Sequence, residues 1–270
     1  MLTAMILPAI CGLILGSFVN VLIVRLPKNQ SIITPRSQCM HCHTPLKWWM
    51  NIPVLSFCLL VGKCSFCKKP IALRYPIVEI TNAVIWILFF DLAHPIQTGF
   101  LCMGYSLLAA VAWIDYLHFI IHNILLIVSF LCLAIAVIAV DFVWQYHVLG
   151  MIFCPGFIWL VSWAIKLVKK RENLGGGDVW LGVVLGFLLG PYTSYLMYIF
   201  ASVLGIVYWL LQTKSQDQQK APTQIPFGTC MVAGTFILEI ILIHGVSISF
   251  GPFETVIMTD GLIKELLTLL

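Results

Sequence analysis

Charge is what this chain has least of. Asp, Glu, Lys and Arg together make up 10% of its 270 residues, against about 25% in soluble domains. With 61% hydrophobic residues and a mean hydropathy of +1.01, that scarcity excludes a water-soluble globular protein and leaves an integral membrane protein. Basic residues are missing ahead of the first apolar run; its positives, Arg25 and Lys28, follow it, so the run reads as a retained anchor rather than a cleaved signal peptide. Short alternating apolar segments, the mark of a membrane barrel, are also wanting. What the chain offers instead is repeated runs of the ~20 apolar residues that a spanning helix needs.

The expected architecture is an all-α polytopic membrane protein of about eight transmembrane helices, near residues 3–25, 76–93, 98–115, 119–140, 147–167, 178–191, 192–211 and 227–245. The run 178–191 is short for a crossing, and Gly190-Pro191 predicts a tight connection to the next helix. Eight of the fifteen basic residues (Arg25, Lys28, Arg36, Lys47, Lys63, Lys68, Lys69, Arg74) fall between the first two spans, and no acid interrupts them. Lys166, Lys169, Lys170 and Arg171 follow the fifth span, and Lys214 and Lys220 the seventh. Loops rich in Lys and Arg stay inside, so these three loops are expected in the cytoplasm. Both termini, and the turns near Asp91 and Asp141, then lie outside. The division expected is 1–26, a first transmembrane helix; 27–75, a cytoplasmic four-cysteine loop; and 76–270, a transmembrane bundle.

The loop 27–75 carries "CMHC" at 39–42 and "CSFC" at 64–67, twenty-one residues apart. Two Cys-x-x-Cys pairs at such a spacing point to one tetrahedral zinc ion held by Cys39, Cys42, Cys64 and Cys67. Disulfides suit a reducing compartment poorly. A segment of this size buries too little apolar surface to order itself, and a metal can supply the missing folding energy. His41 and His43 are near enough to compete as ligands. Cys11, Cys58, Cys102, Cys132, Cys154 and Cys230 fall in apolar runs and read as small core residues.

Two acids border apolar runs on the expected cytoplasmic side. Asp115, in "WIDYLHF", ends the third span, and Asp178, in "NLGGGDVW", begins the sixth. Ionisable groups at a membrane helix are costly and point to function. Two carboxyls brought together do not both ionise readily, so one holds a proton while the other acts as a base. Such a pair can activate water against a peptide carbonyl and protonate the carbonyl oxygen, which is aspartyl peptide hydrolysis. Gly175, Gly176 and Gly177 would allow positive φ and close backbone approach, admitting an extended substrate strand beside Asp178. Taken alone, Asp178 also reads as the cap of the helix it starts.

The chain resembles the bacterial type IV prepilin peptidases, bifunctional leader peptidase and N-methyltransferase enzymes of the Gly-x-Gly-Asp membrane aspartyl protease group. The likeness runs nearly end to end: "GSFVNVLIVRLP" (16–27), "PRSQCMHC" (35–42), "NIPVLS" (51–56), "CSFCKKPIALRYPIVEI" (64–80), "WID" (113–115), "GGGD" (175–178) and "IPFG" (225–228). It implies that Asp115 and Asp178 are the catalytic pair, cleaving the leader of prepilin or pseudopilin precursors after a glycine at the cytoplasmic face of the bacterial inner membrane. It further implies methylation of the new amino terminus with S-adenosylmethionine, in a region where Gly16, Asn20, Arg74 and Glu79 are candidates. Helix packing at Gly12 and Gly16, and an Arg74–Glu79 ion pair, are the structural readings of those residues.

The chain departs from the family pattern in three places. Ile121-His122-Asn123 stands where Leu-Pro-Asp is frequent, Met50 where an acid precedes "NIP", and Thr229 where proline often follows "PFG". A second class of function, a zinc-stapled membrane scaffold or small transporter without peptidase activity, would use the acids to line a cation path. Carriers place such groups near the midplane in broken helices, whereas Asp115 and Asp178 are expected at one face. The expected environment is the lipid bilayer, and no nucleic-acid partner is implied. Glu239 and His244 are expected to snorkel at the outer end of the last span, and the tail 261–270 to lie along the membrane surface.

Overall fold

A computed structural model describes residues 2–138, 144–169, 175–215 and 224–243. The Asp141 turn, Lys170, Arg171, Lys220, His244 and the tail 261–270 lie outside the described residues. Within them the chain is helical throughout apart from its loops, with two isolated β-bridges and no strand. The helices are α1 (Leu2–Arg25), α2 (Leu55–Leu59), α3 (Arg74–Phe89), α4 (Pro95–His118), α5 (Asn123–Ile138), α6 (Trp144–Lys169), α7 (Gly176–Ser215) and α8 (Phe227–Ile243). By length and composition, four segments can cross a membrane: Met5–Lys28, Pro95–His118, Trp144–Leu167 and Gly176–Thr213. Two shorter apolar helices, Asn123–Ile138 and Phe227–Leu242, accompany them.

The chain divides into two compact units, at Ala110 and Val111. In the first, α1 lies against α3. Glycine is required where they meet: a Cβ on Gly12 would stand 2.5 Å from Asn82 O, and one on Gly16 2.7 Å from Glu79 Cα. Small residues permit this approach where the surrounding solvent is apolar and offers no hydrophobic drive to association. The Trp86 indole N–H donates to Ser106 Oγ at 3.2 Å, and Phe89 packs on Tyr105 with ring centroids 4.7 Å apart, joining α3 to the first part of α4.

In the second unit α6 packs along α7, and α7 along α8. The two expected spans 178–191 and 192–211 are halves of the single element α7, whose 40 residues would extend about 60 Å if straight. No loop separates them. Instead Gly190 (φ 73°, ψ −178°) breaks the helical geometry in a region that essentially only glycine enters, and Pro191 removes an N–H at the same point. Phe187 O, which loses its helical donor to Pro191, has His147 Nδ1 at 2.6 Å, and the next carbonyls also take side-chain donors. Leu189 O accepts from Tyr146 Oη at 3.0 Å and from Thr193 Oγ1, and Gly190 O accepts from Ser194 Oγ. Below the kink α6 and α7 touch backbone to backbone, because a Cβ on Gly150 would lie 2.0 Å from Gly186 O. Gly150→Ala is therefore expected to lower the melting temperature in detergent and to cost at least the ~1–3 kcal/mol typical of overpacking.

Large apolar side chains cover the outside: Ile152 is 61% and Leu211 64% exposed. In water such surfaces would drive aggregation, whereas against acyl chains they are the expected coat. Cys102, Cys132, Cys154 and Cys230 are buried as expected of core residues, but Cys11 is half-buried and Cys58, on α2 in the loop, is exposed. Glu239 does not snorkel: it is buried inside the second unit, within electrostatic reach of Tyr146.

Candidate active site and cysteine cluster

Asp115 lies in the last turn of α4 and is 5% exposed. Facing it is the start of α8, whose first N–H groups have no partner within the helix. One of these, Thr229 N–H, donates to Asp115 Oδ2 at 2.7 Å, and Thr229 Oγ1 lies 2.9 Å from the same oxygen. Gly228 leaves room for that approach, since a Cβ there would stand 3.1 Å from Asp115 Oδ2.

Asp178 occupies the first turn of α7. Its N–H donates to Gly175 O at 3.1 Å, and its carboxyl accepts from the Gly175 N–H, a reach-back that satisfies the helix start. The capping expectation is thus met in kind. Capping does not exhaust the residue, because Asp115 is the charged group that acts on it. Asp178 thus sits at a helix N-terminus, where the dipole favours negative charge, while Asp115, in the last turn of its own helix, faces the N-terminus of another.

Ile121, in the α4–α5 connection, ties the two segments together. A Cβ on Gly177 would lie 2.9 Å from Ile121 Cβ, and one on Gly228 3.0 Å from Ile121 Cδ1. The glycines before Asp178 do not adopt positive φ; among the described glycines Gly62 and Gly190 do. Gly176 and Gly177 belong to the first turn of α7, so their backbone is helical, and Gly177 is small because Ile121 presses on it. A Cβ on Gly176 would meet open space, and one on Gly175 would be 3.8 Å from Asp178 Oδ2. Ile121 and Thr229 entered the sequence reading only as departures from a pattern. A hydroxyl residue in the first turn of a helix was the available signal for Thr229.

In the first unit the loop brings the four cysteines together. All their sulfurs lie within 4.8 Å of one another, with Cys39 Sγ and Cys67 Sγ 3.9 Å apart, and the group includes neither His41 nor His43. A tetrahedral ion with ~2.3 Å bonds to sulfur needs about 3.8 Å between sulfurs. The two pairs form matching turns. His43 N–H donates to Cys39 O and Lys68 N–H to Cys64 O, each from a residue with positive φ, and bridges at Gln38–Pro45 and Lys63–Pro70 close them.

The four sulfurs of the cluster differ in their electrostatic surroundings. Hydrogen bonds from the Thr44 side chain and then its backbone pull the Cys42 thiol down to about 6, and backbone N–H groups of Cys67 and Phe66 lower Cys64. Cys67, although the Lys69 backbone N–H favours its thiolate, is pushed up to about 11 by burial and by the neighbouring sulfurs. All four sulfurs can be thiolates at this separation only with a positive ion among them.

Gly16, Asn20, Arg74 and Glu79 gather where α1 meets α3. Gly16 is explained by close helix packing. Asn20 Nδ2 donates to Tyr75 O at 3.0 Å. Glu79 pairs not with Arg74 but with the loop: its Oε2 accepts from Val54 N–H at 2.7 Å, holding Val54 at φ 58°. The Arg74 guanidinium sits 5.0 Å over the Tyr75 ring. Asn20 Oδ1, Asn82 Oδ1 and Arg74 Nε are buried without partners. Asn82, fully buried, is a member the sequence reading missed, since one amide in an apolar helix gave no motif.

Fold and site together define a helical membrane protein with a carboxylate pair at helix starts and a four-cysteine cluster in its first long loop. The chain belongs to the type IV leader peptidase family. Residues 10–92 match the bacterial peptidase A24 N-terminal domain and residues 102–210 the type IV leader peptidase family. It is 28% identical over 252 residues to a prepilin leader peptidase/N-methyltransferase of Burkholderia pseudomallei, covering 83% of this chain and 81% of that one. A protein of the same name from Stutzerimonas stutzeri is 30% identical over 81% of this chain and 84% of its own. The type 4 prepilin-like proteins leader peptide-processing enzyme of Escherichia coli is 31% identical over 85% of this chain and 91% of its own. No solved structure matches the chain significantly.

Proposed function

We propose that the chain is a membrane aspartyl endopeptidase that removes the leader of type IV prepilin or pseudopilin precursors at the cytoplasmic face of the bacterial inner membrane, after a glycine, and then N-methylates the new terminus. The observation that carries the peptidase reading is the placement of Asp115 against the start of α8 and of Asp178 in the first turn of α7, within electrostatic reach of each other. One carboxylate takes a proton from water as the water attacks the scissile carbonyl, and the other carboxyl gives its proton to the carbonyl oxygen. The open space beside Gly176 suits an extended substrate backbone. The names of the relatives support both activities, and the basic loops support a cytoplasmic face. The assay is gel-shift processing of a co-expressed pilin-like precursor, with Asp115→Asn and Asp178→Asn as the deciding variants.

Zinc is the ion proposed for Cys39, Cys42, Cys64 and Cys67, because four thiolates at tetrahedral separation suit a soft, closed-shell cation. Its role would be structural: all four positions are taken by protein ligands.

The unpartnered atoms near α1 and α3 fit S-adenosylmethionine. Asn20 Oδ1 and Asn82 Oδ1 are acceptors for its amino groups, and Arg74 is a donor for its carboxylate. When bound, that cofactor supplies an electrophilic methyl group. Asn82→Leu, close in volume but without the acceptor, is expected to leave leader cleavage intact and to abolish the methyl on the mature terminus. Mass spectrometry of the processed substrate reads both at once.

A further inference from the structure

The Thr229 hydroxyl has one hydrogen and two acceptors in reach: Asp115 Oδ2 at 2.9 Å and Ala112 O at 2.8 Å. Thr229 N–H, at 2.7 Å, always donates to Asp115 Oδ2. That oxygen therefore collects up to two donors at the positive end of α8, while among the described residues Asp178 collects one, from Gly175 N–H. Donors to a carboxylate favour its charged form. We propose that Thr229 is a positioning residue that keeps the negative charge of the pair on Asp115 and the shared proton on Asp178. The assignment rests on the peptidase reading above and gives each acid its task.

Asp115 accepts the proton of the attacking water, and Asp178 donates its own to the scissile carbonyl oxygen, giving a neutral tetrahedral diol. As the C–N bond breaks, the leaving nitrogen takes the proton from Asp115, and a diol hydroxyl returns one to Asp178. Atoms and charge balance, and both acids end as they began. While Asp115 holds its proton, the Thr229 hydroxyl can turn its hydrogen to Ala112 O, and it swings back when the charge returns. No heavy atom has to move.

Other titratable groups share this surrounding. Cys230 on α8 lies within electrostatic reach of Asp115, and Tyr198 on α7 within reach of Asp178. Tyr116 and His118 stand beside Asp115 in the last turn of α4, and His122, before α5, is within reach of His118. None of these donates a hydrogen bond to Asp115 Oδ2; Thr229 provides both.

The test is the pH dependence of kcat and KM for a pilin-like precursor with full-length protein in reconstituted membranes. Thr229→Ser keeps both donors and is expected within about threefold of the parent. Thr229→Val keeps the N–H and the shape; it should lower kcat by ~10-fold, the worth of one charge-assisted hydrogen bond. It should leave KM unchanged and move the acid limb of the profile up by ~1 pH unit.

A Thr229→Val profile that superimposes on the parent's, or a serine variant no better than the valine one, overturns the assignment. Each variant's melting temperature is measured alongside, and activities are compared between variants that melt with the parent. If the parent cleaves and both Asn variants are dead while Thr229→Val is normal, this inference alone fails. If the parent does not cleave, or the Asn variants match it, the peptidase reading falls and takes this inference with it.

Discussion

Asp115→Asn and Asp178→Asn are each expected to lower precursor cleavage by ~10³-fold, the scale of lost general acid or base catalysis. The double variant should be no worse than either single one, because two groups that act on one proton cannot lose their contribution twice. Asparagine keeps the shape of each side chain, so melting temperature should change little while turnover collapses. At position 115 the amide can still accept from Thr229 N–H, which preserves the start of α8. At position 178 it can still accept from Gly175 N–H. Single-turnover kinetics on reconstituted protein would check the magnitude. Cleavage persisting in both variants would remove the carboxylate pair from the chemistry.

The second large effect is expected in the loop. Cys64→Ser should abolish stoichiometric zinc and leave residues 27–75 open to proteolysis, since two small bridges and one short helix offer no core to replace the metal. Zinc affinity should rise with pH, because thiol protons leave on binding. Cys67, held at about 11 without a cation, must release one, so loading at neutral pH is accompanied by measurable proton release. Lowering the pH should weaken zinc binding progressively, because protons compete with the ion for each sulfur. Metal analysis on purified protein, with limited proteolysis of the parent and variant, decides the matter. Equal zinc content and equal protease resistance in Cys64→Ser would end the structural-metal reading.

The helices were legible because length and hydropathy fix them: a run of apolar residues bounded by Arg25, Pro95 or Gly175 can be little else in a bilayer. The cysteine cluster was legible for a similar reason, since thiol chemistry demands a spacing that leaves a mark. The α7 kink was read as a connection, because Gly190-Pro191 looks the same in a turn and in a broken helix; the difference lies in Tyr146 and Thr193 satisfying Leu189 O. The pairing of Glu79 also escaped. Nearness in sequence favoured Arg74, whereas the loop folds Val54 N–H onto the carboxylate from 25 residues away. Thr229 shows the limit most clearly. Its partner is 114 residues distant, and only the approach of α8 to α4 turns an ordinary hydroxyl into a donor for Asp115.

Val54 is a β-branched residue held at φ 58°, and holding it there costs of order 1–3 kcal/mol. The carboxylate that detains it belongs to α3, so a bent spring is latched to a rigid post. Release of that latch would let the segment between the two cysteine pairs relax toward extended backbone and drift from the helices that flank it. The loop and the α1–α3 pair thus stand or fall as one piece, and a lesion on the post should be felt at the sulfurs.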